Sequence, residues 1–167
     1  MKPKKVAFLG LCVALSMILS YFEGLIPMLI PVYGGYGIKV GFANLVTIFM
    51  LYKFSAKETV AVSIIRVILM SILFPKGLTF AYSLAGATLS LVGMIVLKRS
   101  KLFSSVTVSV VGAILHNIGQ IIIAVILMET SQIAFYLPVL LISGTIAGVV
   151  IGIAASLLVK RLDRLRF

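Results

Sequence analysis

Gly34-Gly35-Tyr36-Gly37-Ile38-Lys39-Val40-Gly41-Phe42-Ala43-Asn44 is a glycine-rich stretch that follows two prolines, Pro27 and Pro31, and runs into an apolar segment. Most of the remaining chain reads as membrane-spanning helix. Near membrane depth, non-helical backbone is tolerated only where it is buried in protein or lines a wet cavity. We therefore expect this stretch to form one wall of a small-molecule site that faces outward.

The composition is that of a polytopic membrane protein. Of the 167 residues, 62% are hydrophobic and 11% are charged, whereas soluble domains have roughly 45–50% apolar and about 25% charged residues. The net charge of +11 does not indicate a nucleic-acid partner, because nearly all cations lie at the ends of apolar segments. We expect one integral membrane domain over residues 1–167, located in a bacterial plasma membrane.

Six apolar segments predict an all-α bundle of six transmembrane helices. The first segment is long enough to cross a hydrocarbon core of about 30 Å, whereas the second is too short for a perpendicular crossing. The N-terminal cations and the apolar run after them resemble a signal peptide, but we interpret the run as a retained first helix. The segments are Val6–Ile30, Val40–Tyr52, Glu58–Phe74, Leu78–Leu97, Val106–Met128 and Phe135–Val159.

The cations predict the orientation of the bundle. Positive residues concentrate in cytoplasmic loops, and here every second connection is rich in Lys and Arg. The opposite loops hold only Lys39 and Lys76. Both termini are therefore expected in the cytoplasm. The cytoplasmic set is Lys2, Lys4, Lys5, Lys53, Lys57, Lys98, Arg99, Lys101, Lys160, Arg161, Arg164 and Arg166.

Arg66 lies near the middle of the third segment. A charge at the bilayer centre costs roughly 3 kcal/mol on insertion scales, so Arg66 should face the bundle interior, a pocket or an acidic partner. Two interpretations stay open at this point. Arg66 forms a structural ion pair with Glu23, or it contacts an anionic ligand.

The fifth segment carries three polar side chains within one turn, His116, Asn117 and Gln120. Residues three and four apart share a helix face, so this turn is expected to face the interior. Hydrogen bonds to Asn44 or Ser83 would satisfy it without any ligand, and a binding site is the alternative. The candidate substrate-binding residues are Lys39, Asn44, Arg66, Tyr82, His116, Asn117 and Gln120.

Small residues on the first helix, Ala7, Gly10 and Ala14, form a candidate helix-packing surface. A small-xxx-small spacing lets two helix backbones approach closely. The partner is either a helix of this chain or an external one.

The sequence lacks the residues that several kinds of catalytic and metal-binding site require. The chain has a single Asp, a single Cys (Cys12) and no P-loop. Aspartate-rich Mg²⁺ sites, metal clusters and nucleotide hydrolysis are therefore not expected. No nucleophile and base with an orienting carboxylate can be assembled either. We expect neither an enzyme nor a cofactor.

Five short motifs occur along the chain in this order: Leu19-Ser20-Tyr21-x-Glu23, Gly37-Ile38-Lys39-x-Gly41-x-Ala43-Asn44, Tyr82-Ser83-Leu84-x-Gly86, His116-Asn117-x-Gly119-Gln120 and Tyr136-Leu137-Pro138. By these motifs the chain resembles the Gx transporter family, whose membrane form is also labelled heptaprenyl diphosphate synthase component I. The resemblance covers nearly the whole chain. The family in turn looks related to the substrate-binding S components of energy-coupling factor (ECF) transporters.

The resemblance implies six helices with cytoplasmic termini, and it implies partners: a transmembrane scaffold subunit and separate ATPase subunits. It would place Gly10 and Ala14 on the scaffold-facing side. The leading hypothesis is thus an S component for a small vitamin-like or precursor molecule with an acidic group. The alternatives are a non-catalytic membrane adaptor for prenyl diphosphate or quinone synthesis and a secondary transporter, for which membrane carboxylates are too few.

Overall fold

The computed structural model describes residues 3–25, 41–74, 79–129 and 131–162. Within these ranges the chain is helical, which confirms the all-α prediction. A short 3₁₀ helix (Ser131–Tyr136) precedes the last α-helix. The α-helices are α1 (Pro3–Leu25), α2 (Phe42–Lys53), α3 (Ala56–Leu73), α4 (Thr79–Ser100), α5 (Ser105–Met128) and α6 (Leu137–Arg161).

Long apolar helices confirm a multi-pass membrane protein. Four segments of the described chain are long and apolar enough to cross a bilayer: Pro3–Glu23, Phe80–Ser100, Ser105–Met128 and Ser131–Arg161. The remaining two helices differ from these, since α2 is shorter and α3 carries Lys57, Glu58 and Arg66. Six crossings and two cytoplasmic termini stay predictions.

Local sequence explains where α3 and α5 begin. Ser55 accepts a hydrogen bond from the Glu58 backbone N–H, and Glu58 in return accepts one from the Ser55 N–H. This reciprocal capping box satisfies two backbone donors that the first turn leaves open. Ser104 caps α5 in a similar way by accepting from the Thr107 N–H.

The short helix α2 lies at the centre of the bundle. Its side chains from Val46 to Leu51 are all buried, so it is surrounded by protein on every side. One hydrophobic cluster joins Ile48 and Leu51 to Leu91, Met94 and Val108. A helix that is apolar and buried around its whole circumference belongs to a core, which explains how a helix of only 12 residues is held at membrane depth.

Glycines bring α4, α5 and α6 into close backbone contact. A Cβ added at Gly119 of α5 would lie 2.8 Å from the Ala85 carbonyl oxygen of α4. A Cβ added at Gly148 of α6 would lie 2.7 Å from the Val110 Cα of α5. Glycine at such positions permits the close helix approach that membrane bundles use in place of a hydrophobic driving force.

Helix α1 lies at one edge of the bundle. Its Phe8 ring packs on Phe49 and Phe54, and Lys5 forms a 2.6 Å ion pair with Glu58 of α3. The opposite side of α1 is exposed, including Leu11 and Ile18. The described part of the chain therefore covers one side of α1 and leaves the other open.

Candidate functional site

Arg66 reaches from α3 towards the C-terminal half of α1. Its Nη1 donates a hydrogen bond of 3.2 Å to the Ser20 hydroxyl, and the charge of Glu23 acts on the guanidinium. The Arg66 Nε is buried and has no hydrogen-bond partner among the described residues. Arg66 was expected to point away from lipid. In the structure its side chain joins α3 to α1.

Glu23 binds the beginning of α2. The residue before that helix, Gly41, has a φ of 80° and provides no side-chain cap, a left-handed conformation that suits glycine. Its backbone N–H donates to Glu23 Oε1. A carboxylate from α1 therefore provides the negative group that favours a helix N-terminus. Sequence reasoning considered Glu23 only as an ion-pair partner of Arg66 and missed this contact.

Asn44 lies in the first turn of α2. Its backbone N–H donates to the Gly41 carbonyl at 2.8 Å. A Cβ added at Gly41 would lie 3.3 Å from Asn44 Nδ2 and 3.8 Å from Ile151 Cδ1 of α6. The structure therefore brings Asn44, Gly41 and Glu23 into one region where α1, α2 and α6 meet.

Asn117 joins α5 to α6. It is 8% exposed, and its Nδ2 donates a 2.7 Å hydrogen bond to the Leu140 carbonyl. Interhelical bonding of this turn was one of the two expectations, with Asn44 or Ser83 as the partner. The described partner is instead a main-chain carbonyl, which residue types in the sequence cannot indicate.

His116 and Gln120 lie against α4. A Cβ added at Gly86 would be 2.9 Å from Gln120 Cγ and 3.0 Å from His116 Cε1. Tyr82 lies one turn before Gly86 and is 5% exposed. The polar turn of α5 is thus divided, with two side chains at the α4 contact and Asn117 at the α6 contact.

Lys39 lies outside the described residues, as does most of the glycine-rich stretch. Its proximity to Asn44 or Arg66 stays a prediction. Of the described candidate residues, Arg66 binds α1 and Asn44 lies in the first turn of α2. Tyr82, His116 and Gln120 lie where α4 and α5 meet, and Asn117 binds α6. Whether they share a ligand is also a prediction.

The candidate partner surface on α1 is open. Ala7, Gly10 and Ala14 are all exposed, and a Cβ added at Gly10 would meet no atom within 4 Å. Gly10 also borders an apolar groove of about 530 Å³ between α1 and α3, with Lys57 and Glu58 among its lining residues. Among the described residues, the small side chains of α1 therefore do not serve close helix packing.

The part of the chain that the structure describes contains no group of three His, Cys, Asp or Glu residues able to hold a metal ion. The polar groups available there are a guanidinium, carboxylates, amides, hydroxyls and one imidazole. Such groups suit hydrogen bonding and charge pairing with a small polar ligand.

Comparison with known protein families gives a match over most of the chain. The model of the family described as heptaprenyl diphosphate synthase component I matches residues 12–158. That range includes every described candidate residue except Ala7 and Gly10. No curated protein and no solved structure matches the chain.

Proposed function

Because the chain belongs to the family described as heptaprenyl diphosphate synthase component I, we propose that it works as one subunit of a larger membrane assembly. In this proposal it is the substrate-binding membrane subunit of an ECF-type importer. It captures a small molecule with an acidic group and has no catalytic activity of its own. A scaffold subunit and ATPase subunits provide the remaining functions.

The observation that carries this proposal is the open small-residue face of α1. Ala7, Gly10 and Ala14 are exposed, and a Cβ added at Gly10 would meet no described atom within 4 Å. Small residues allow a second helix to approach to backbone distance in a bilayer. Such a surface suits a transmembrane scaffold subunit.

The buried guanidinium supports an acidic substrate. Arg66 has a hydroxyl partner, Ser20, and a buried Nε without a partner among the described residues. The planar guanidinium presents five donors in a fixed fork that matches carboxylate and phosphate groups. Lys39, Asn44, Tyr82, His116 and Gln120 complete the proposed substrate-binding set, whereas the hydrogen bond of Asn117 to Leu140 supports a packing function for that residue.

Purification from native membranes tests the proposal. Tagged protein is extracted gently, its protein partners and its released small molecules are identified by mass spectrometry, and two variants are compared. Gly10→Leu fills the open face of α1, whereas Thr88→Leu places the same side chain at an exposed position of α4. We expect a scaffold and ATPases to accompany the wild type and Thr88→Leu but not Gly10→Leu, with thermal stability unchanged in all three.

Loss of stability in Gly10→Leu would assign the small residues to internal packing and contradict the partner surface. Absence of any ATPase from the wild-type preparation would contradict the importer.

A second candidate is a non-catalytic membrane adaptor for prenyl diphosphate or quinone synthesis. The family description favours it, and so does the groove between α1 and α3, which is apolar along Leu9, Val13 and Ile65 and has Lys57 at one end. In this candidate function an isoprenoid chain binds in the apolar groove, and its diphosphate pairs with the Lys57 ammonium. A soluble, aspartate-rich synthase in the same preparation would support this candidate.

A further inference from the structure

The N-terminus of α2 has a positive electrostatic potential, and a side chain of another helix binds there. The N-terminus of a helix presents free N–H groups and the positive end of the helix dipole, so it attracts anions. Gly41 offers no side chain to cap it. The Glu23 carboxylate of α1 accepts the hydrogen bond of the Gly41 N–H instead.

Arg66 is a second and independent observation at the same place. The charge of Glu23 acts on its guanidinium, yet the hydrogen bond described for Arg66 goes to a neutral hydroxyl, that of Ser20. Its buried Nε has no partner in the described part of the chain. A buried cation with an unused donor is satisfied best by an anion that accepts two hydrogen bonds at once.

We propose that Glu23 is an internal competitor for the anionic group of the ligand. Without a ligand the Glu23 carboxylate accepts the hydrogen bond of the Gly41 N–H, about one turn along α1 from the Ser20 hydroxyl that Arg66 binds. A carboxylate or phosphate of the ligand takes this place, binding Arg66 and the start of α2 while Glu23 moves away. This inference rests on the proposed capture of an acidic small molecule. It adds which group of the protein occupies the anion position when no ligand is bound.

Displacement of Glu23 would have a consequence for α1. Glu23 lies near the C-terminal end of the helix whose other half carries Ala7, Gly10 and Ala14. The hydrogen bond between Gly41 and Glu23 joins the C-terminal end of α1 to α2. When a ligand breaks this bond, ligand binding acts directly on the helix that is proposed to bind the partner. Coupling of this kind needs only that the ligand bind one of two arrangements better than the other.

The test measures anion binding to purified full-length protein in lipid nanodiscs. The single cysteine, Cys12, is buried, so a thiol-reactive dye reports unfolding on heating. Sodium acetate, inorganic phosphate and pyrophosphate are titrated at constant ionic strength, with sodium chloride as the reference. The apparent affinity follows from the rise of the unfolding temperature with anion concentration.

Three variants distinguish the possible results. Glu23→Gln removes the competing charge, Arg66→Gln removes the proposed anion receptor, and Glu129→Gln removes an exposed carboxylate directly after α5. We expect Glu23→Gln to bind the best of the three anions about ten- to hundredfold more tightly than the wild type, the effect of one hydrogen bond to a charged group. Arg66→Gln should lose binding, and Glu129→Gln should match the wild type.

Equal or weaker binding by Glu23→Gln overturns the competition, and so does absence of anion binding to that variant. If binding by the wild type still depends on Arg66, the anion site of the proposed function stands while the competition fails. If Arg66→Gln binds as well as the wild type, the anion site itself is wrong. Should Arg66→Gln fail to fold, Arg66→Lys keeps the charge but loses the fork, and is expected to bind more weakly than the wild type.

Discussion

Glu23 and Lys98 bind opposite ends of the same helix. Glu23 accepts a hydrogen bond from the Gly41 N–H where α2 begins, and Lys98 Nζ donates to the Leu51 carbonyl in its last turn. The signs match the helix dipole, with a carboxylate at the N-terminus and an ammonium at the C-terminus. The central helix is therefore held by charged side chains of α1 and α4.

The contact at the C-terminal end of α2 predicts a loss of stability in Lys98→Met. This change keeps most of the side-chain bulk but removes the hydrogen bond to Leu51 and the ammonium above the Tyr52 ring, 5.4 Å from its centre. We expect a loss of about 1 kcal/mol, below the full range for bonds to charged groups because Lys98 is partly exposed. Thermal unfolding followed by Cys12 labelling measures it. Lys101→Met, in an exposed loop position, is the control, and an equal loss there would mean that Lys98 acts only through net charge.

The close approach of α5 and α6 predicts a large difference between two Gly→Ala changes. A methyl group at Gly148 would lie 2.7 Å from the Val110 Cα, which is main chain and cannot rotate away. We expect Gly148→Ala to lose about 1–3 kcal/mol by overpacking. Gly10→Ala meets nothing within 4 Å and should be neutral or gain up to about 1 kcal/mol from helix propensity. Similar unfolding temperatures for the two variants would contradict the described packing.

The bond between Asn117 and Leu140 predicts that Asn117→Ala loses stability. Interhelical hydrogen bonds in membranes are worth about 0.6 kcal/mol on average and up to about 1.7 kcal/mol. Ser143→Ala is the matched control, because Ser143 donates to the same Leu140 carbonyl at 3.2 Å but from within α6. The loss of unfolding free energy in Asn117→Ala beyond that in Ser143→Ala measures the hydrogen bond between α5 and α6. If stability is unchanged and ligand binding falls, Asn117 belongs to the binding site instead.

The charge pattern predicts which loops face outside. In a Cys12→Ser background, a cysteine at Gln132 should react with a membrane-impermeant thiol reagent in intact cells. A cysteine at Leu102, which is 83% exposed, should react only after the membrane is opened. Labelling of Leu102→Cys from outside would overturn the predicted orientation.

The helices that have polar residues at both ends could be predicted from the sequence. The fourth and fifth segments were expected at Leu78–Leu97 and Val106–Met128 and are found at Thr79–Ser100 and Ser105–Met128. The first was expected to extend to Ile30, whereas α1 is described as Pro3–Leu25 and the residues after it lie outside the description. The predicted end at Ile30 therefore stays a prediction.

The contacts of the candidate site were less predictable, because their partners are main-chain atoms. That Arg66 and Asn117 need polar partners follows from their residue types. That Asn117 binds the Leu140 carbonyl and Glu23 binds the Gly41 N–H does not, since every residue has a carbonyl and nearly every one an N–H. The absence of a side-chain cap at Gly41 was the available sign that a group from elsewhere binds the start of α2.

The shortness of α2 has a consequence for how the protein is made. At 1.5 Å per residue its 12 residues extend about 18 Å, well short of a hydrocarbon core of about 30 Å. The insertion machinery therefore has no reason to recognise α2 as an independent span during synthesis. Its final position depends on α4, which supplies Lys98 and is translated later. Substitutions of Lys98 should thus appear in cells first as degradation of the newly made chain.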